Sequence, residues 1–265
     1  MNLVKSEMRK VLYARSYRYL LLGAIALAVL SSAASPYVTH RMAESGELTF
    51  NGLTDPQMVS GMYAKAIGGY IIVVIIGVLL MAGEFRNGTA VATFLTAPRR
   101  ASVLVAKLVV AAAAGVFTMV VSTGIGIVSC WLALKQYPEA VAPAPGTFGH
   151  LANIALVSGA VLAIIGVAVG TLIRNQGLAV GITMMWLFLI DRLIAVFWTT
   201  GGKFLPTGLI TGMMALRLEG GDRATGMTLD TADYLPAGQA TAVLIGYGAA
   251  FAIVAVMTTL RRDID

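Results

Sequence analysis

Glu84, Phe85, Arg86, Asn87, Gly88 and Thr89 follow directly on an apolar run, and Pro98, Arg99 and Arg100 stand just before the next one. An acid where hydrocarbon gives way to water, basic residues on either side and apolar side chains between them form a set suited to docking another protein. Charges set register and apolar anchors supply affinity. Asn87-Gly88 is a turn signal. Thr89 can cap a short helix whose apolar face is Val91, Phe94 and Leu95. The spacing predicts an amphipathic segment over 84–101, lying under the membrane with Phe94 and Leu95 as anchors.

A second group lies later in the chain. Met184, Met185, Trp186 and Phe188 are large and adaptable, suited to a lipophilic route, although packing or lipid contact is the plainer role for any one of them. Asp191 and Arg192 interrupt the same apolar run, and neighbours at i,i+1 do not face each other on a helix. The plainer reading ends the span near Ile190, at the outer interface. The sharper one buries the charge at a subunit or gate contact. Gly201-Gly202 and Pro206 break the helix that follows. The stretch 204–218, with Phe204 and Pro206 at its start, is apolar enough to dip back into the outer leaflet as a candidate external gate. Two short surface helices on the outer face are the alternative.

Other chemistry finds no constellation. Gly201-Gly202-Lys203 is followed by Phe204 and lacks the upstream glycine of a phosphate loop, and neither H-E-x-x-H nor C-x-x-C occurs. The single Cys130 sits in an apolar run and reads as a small buried residue. His40 and His150 read as surface histidines at the outer loops. No ionisable residue is expected near the middle of a span, where ion-driven pumps carry their relays. The chain has no catalytic site or cofactor of its own.

The elements that position these residues follow from hydropathy. The chain is 58% hydrophobic and 12% charged, against about 25% charged in soluble domains. Apolar runs close to bilayer-spanning length recur throughout. The expected fold is an all-α polytopic membrane protein in a single transmembrane domain, 1–265, with spans at 19–37, 63–83, 102–134, 150–173, 177–198 and 240–260. Residues 1–18 form an interfacial helix, with Leu3, Val4, Met8, Val11 and Leu12 on its apolar face and basic residues toward anionic lipid. Its long patterned basic segment separates it from a signal peptide, although Ser31-Ser32-Ala33-Ala34-Ser35 resembles a cleavage site. Pro36 stands near the end of the first span. The third run is longer than a bilayer needs, so it tilts or extends beyond the membrane. Residues 199–239 form an outer-face insertion.

Six spans put both termini on one side, and charge selects the side. Of the 19 Lys and Arg residues, 12 fall in the N-terminal segment, the 84–107 stretch, Arg174 and the tail, and 7 fall in the alternate loops and the span ends beside them. Basic residues accumulate on the cytoplasmic side, so both termini are expected there. Basic residues at span ends also read as lipid-headgroup contacts and not as a nucleic-acid surface. Small residues mark two spans: Gly159, Ala163, Gly166 and Gly170 share a face of span four, and Gly115, Ser122, Gly124 and Gly126 mark span three. They read as close helix packing.

The order of elements resembles the transmembrane subunit of an ABC-2-type ABC transporter: an amphipathic N-terminal helix, six spans, Glu84, Gly88 and Thr89 after span two, and Pro98, Arg99, Arg100 and Lys107 leading into span three. The likeness extends over essentially the whole chain, including the insertion before the last span. It implies a cytoplasmic coupling helix at about 85–100 that contacts a separate ABC ATPase subunit, where ATP and Mg are bound. It also implies a second permease, as homodimer or heterodimer, with a route lined mainly by spans one, two and five. The resemblance further implies the inner membrane of a prokaryote as the setting and export as the direction. It leaves the substrate open. A stand-alone secondary transporter or channel is the competing reading, and a membrane-embedded enzyme a weaker third; missing mid-membrane charges and a missing catalytic set count against them.

Overall fold

Helix is the form a chain takes when no water is at hand to satisfy its backbone, because each N–H and C=O is bonded within the segment. All secondary structure among the described residues is helical. The computed structural model describes residues 3–45, 52–86, 100–173, 175–214 and 234–261. Six helices have the length and apolarity to cross a membrane, so the chain is a multi-pass membrane protein.

An N-terminal helix, Leu3–Tyr13, precedes span one, Arg15–Glu44. A short helix, Pro56–Ala64, and a 3₁₀ turn, Lys65–Gly69, lead into span two, Tyr70–Arg86. Span three is Arg100–Leu134 and span four Thr147–Leu172. Span five runs as one rod from Gln176 through a π turn, Trp186–Ile190, to Phe197. A single turn, Thr199–Gly202, and a short helix, Pro206–Met214, follow, and span six is Ala237–Arg261. Span four is the most buried, packed against spans two, three and six, while spans one, five and six lie at the periphery.

Two helix ends have identifiable causes. Span one continues through Pro36 to Glu44. Pro36 has no N–H to give to the Ser32 carbonyl. The Ser35 hydroxyl donates to that carbonyl at 3.0 Å instead, so the helix need not stop. Span five does not end at Ile190. Its π turn absorbs an extra residue, and Asp191 opens a further helical stretch with no exposure at all. Asp191 therefore follows the sharper of the two readings as far as burial goes.

The N-terminal helix turns a narrow stripe toward the bundle. Val11 is buried, yet Val4 and Leu12 are 40% and 56% exposed, and the buried polar residue on the inward stripe is Glu7. Leu3, Glu7 and Val11 stand four apart and form the stripe that meets span three. Cys130 is buried, as its apolar surroundings require. His150 is less free than a surface histidine: its Nε2 lies 2.6 Å from the Met213 carbonyl. The 87–99 segment and the 215–233 part of the insertion lie outside the described residues.

Small residues let the central helices touch backbone to backbone. A Cβ at Gly166 would stand 2.2 Å from the Val74 carbonyl, and one at Gly115 would stand 2.2 Å from the Gly159 carbonyl. Gly77, which faces Gly166, completes this seam and has no marker in the sequence pattern. Gly124 meets nothing within 4 Å and is not part of it.

Candidate functional site

Glu84 is the last acid of span two, and its side chain turns inward. Lys107, about two turns into span three, places Nζ 2.7 Å from Glu84 Oε1 and 2.7 Å from Glu7 Oε2. Lys10 contacts Glu7 Oε1 and lies 3.1 Å from Glu84 Oε1. Two acids and two lysines thus form a closed, neutral quartet that joins the N-terminal helix to the ends of spans two and three. Lys107 is only 3% exposed. Such a cation is tolerable away from water only when paired and hydrogen-bonded. Burial alone would raise the Glu7 carboxyl, but the Lys107 charge and hydrogen bonds from Lys10 and Lys107 outweigh it and hold it below its ordinary value. Burial would lower Lys10, and its bonds to Glu7 and Glu84 keep it above its ordinary value. Among the described residues Glu84 Oε2 is buried with no hydrogen-bond partner.

Glu84 has Arg86, Arg99 and Arg100 as its basic neighbours along this stretch of the sequence. Its partners here are Lys10 and Lys107. The clue lay in two oddities: an acid in the middle of the N-terminal apolar stripe, and a lysine inside the apolar run of span three.

Phe85 and Arg86, the next two residues, point away from the quartet, as the 100° step of a helix demands. They line a cleft of about 1050 Å³ between spans one, two and five, together with Leu20, Ile75, Gln176 and Met184. Arg86 reaches Gln176 Oε1 at 3.5 Å, and Asn175 caps the start of span five through the Leu178 amide. The end of span two therefore carries the charged quartet on one side and the cleft on the other. Asn87, Gly88, Thr89, Phe94, Leu95, Pro98 and Arg99 lie outside the described residues; of Arg100 only its place at the start of span three is described.

Residues 3–190 match the family described as ABC-2 family transporter protein. The chain belongs to the ABC-2 transporter family. No curated protein matches it. The ABC-2 match takes in the quartet and the cleft and stops one residue short of Asp191, so the chemistry beyond it is read from geometry alone.

The candidate route residues do not meet at one place in this ABC-2 chain. Met184 lines the cleft, Phe188 points outward, and Phe204 and Pro206 border a separate apolar cavity. Asp191 lies beneath the lip formed by residues 204–206. Its Oδ2 accepts from the Thr207 amide at 3.2 Å and from the Thr207 hydroxyl, while Oδ1 is buried without a hydrogen bond. Asp191 and Lys107 are thus both buried ionisable groups within span helices, Lys107 near the start of its helix. Thr207→Val removes the hydroxyl but keeps the amide. It should lower stability by about 1.5–3 kcal/mol, the range for a hydrogen bond to a charged group. The thermal unfolding midpoint of the purified protein checks this, and Thr207→Ser should restore it.

Proposed function

We propose that this chain is the membrane-spanning permease subunit of an ATP-driven exporter, paired with a second permease copy and powered by a separate ATPase subunit that binds ATP and Mg. The observation that carries the reading is the quartet. It bonds both helix ends that bracket residues 87–99 to each other and to the N-terminal helix. A push delivered to that stretch from outside would reach spans two and three together, and the glycine seam would pass it to span four. Glu84 Oε2 is available to a donor from the stretch or from a docked partner. In this reading the quartet end faces the cytoplasm, residues 84–101 are the coupling segment, and Pro206–Met214 is a re-entrant element on the outer side.

The cleft between spans one, two and five supports a route shared with a second copy, since its open side needs another wall. Spans one and five also present large exposed side chains, such as Leu30 and Leu189. A stand-alone ion-driven transporter draws on one observation, the buried Asp191.

The test is co-purification with a neighbouring ATPase, followed by ATPase and export assays. Phe94→Ala removes the main apolar anchor and should weaken ATPase association by about 2 kcal/mol or more, while the permease alone keeps its melting temperature. Wild-type ATPase binding and export in Phe94→Ala would remove the coupling role. Export by the chain without any ATPase would select the ion-driven reading.

A further inference from the structure

Spans two, four, five and six and the lip enclose a second cavity, of about 400 Å³. That size falls within the ~300–1,000 Å³ of small-molecule sites. Its wall is apolar on every helix: Leu162 and Ile165 from span four, Trp186 from span five, Phe204 from the lip, and Tyr247 and Phe251 from span six. The pairs 162/165 and 247/251 fall on single helix faces, so each span presents a continuous greasy stripe. Thr183 is on the wall too, but its hydroxyl is spent on the Ala179 carbonyl.

The inner wall and the rim differ in exposure. Leu162 is 1% exposed, whereas Trp186 and Phe204 are each 41% exposed. The cavity therefore opens sideways, toward what surrounds the bundle, and for a multi-pass membrane protein that is lipid. An apolar void offers water no partners and stays dry. Left empty, it forfeits the dispersion contacts of its lining. The material at its door is hydrocarbon chain. The rim also carries a cation: Lys203 Nζ lies 5.6 Å from the centre of the Phe204 ring. That position leaves the ammonium beside the mouth, where a phosphate would sit if a chain entered below it.

We propose that this cavity is a phospholipid site, taking one acyl chain of a membrane lipid between spans four, five and six, with the anionic headgroup at Lys203. Asp191, bonded to Thr207 just behind the rim, pins the lip that forms the roof. The site is independent of the proposed ATPase partnership and is tested without it.

The purified chain is placed in nanodiscs with phosphatidylglycerol or phosphatidylcholine carrying a diazirine near the acyl terminus, and adducts are mapped by mass spectrometry. Adducts should concentrate on Trp186, Phe204, Tyr247 and Phe251, several-fold above the outward-facing Ile253 and Val254 on the same span, and phosphatidylglycerol should label more than phosphatidylcholine. Ile165→Trp fills the cavity and should bring the excess to background. Lys203→Gln, at the rim, should remove the preference for phosphatidylglycerol and leave phosphatidylcholine labelling unchanged. Labelling no denser than at Ile253 would mean only bulk lipid and overturn the site. So would reaction of a Thr183→Cys variant with a membrane-impermeant maleimide, which would show the cavity to be wet. Should Ile165→Trp fail to assemble, the wild-type adduct pattern and Lys203→Gln decide alone.

Discussion

Lys107→Ala should destabilise the folded chain by about 3–5 kcal/mol, the range for removing one partner from a buried ion pair. The substitution leaves Glu7 and Glu84, both buried, to share Lys10, whose side chain is half exposed. Two carboxylates drawn toward one screened ammonium repel each other. The opposing change separates charge from volume: Glu7→Gln/Glu84→Gln/Lys107→Met removes every buried ion and should recover most of the loss, because apolar or neutral replacement of a whole buried cluster is often neutral. Chemical or thermal unfolding in detergent reads both. If Lys107→Ala unfolds like wild type, the quartet contributes no stability.

The pH dependence carries a sign. Glu7 has a folded pKa below its ordinary carboxylate value. A lowered acid contributes stability that is present above the unfolded pKa, about 4.3, and is lost as pH falls through the lower folded value. Lys10 has a raised folded pKa. Its contribution is complete below the unfolded value of about 10.4 and is lost as pH rises through the folded one. From these two groups the wild type should be flat from about pH 5 to pH 10 and weaken beyond each end. In Lys107→Ala the largest charge that holds Glu7 down is gone and burial pushes the carboxyl up. Stability of that variant should then rise on mild acidification, where wild type is flat. The gap between the two narrows as pH falls from 7 toward 5.

Much of the architecture was legible because membrane insertion writes itself into composition. The six apolar runs, the interfacial N-terminal helix as an element, and the family resemblance all rest on local sequence. What was not legible depends on partners distant in the chain. Lys107 and Glu7 are 100 positions apart, and nothing in either neighbourhood names the other. Pro36 signals a stop wherever its lost hydrogen bond goes unreplaced, and Ser35 replaces it. Asp191 signals an interface by its charge, but Thr207, across a helix break, supplies the donors that let it stay buried. The apolar cavity has no sequence mark, since lining residues and packing residues are the same types.

Gly166→Leu should prevent spans two and four from packing as they do. At Gly166 a side chain meets backbone, not another side chain: the Val74 carbonyl at 2.2 Å, the Gly77 Cα at 2.9 Å and the Val78 nitrogen at 2.9 Å. Backbone atoms inside two regular helices cannot rotate out of the way, so spans two and four must separate. Overpacking a core typically costs about 1–3 kcal/mol and on occasion more; here separation also strips the dispersion contacts that stand in for a hydrophobic force between helices in lipid. Gly115→Leu should act likewise through the Gly159 carbonyl. The contrast lies on the same helix as Gly115. Gly124 meets nothing within 4 Å, so Gly124→Leu should leave the melting temperature close to wild type. Yield of monodisperse protein and the thermal midpoint measure all three. Equal tolerance at 115, 124 and 166 would mean that the seam does not hold spans two, three and four together. The effect should also be independent of pH between 5 and 9, since the atoms nearest the seam glycines among the described residues belong to no titratable group, and that separates it from loss of the quartet.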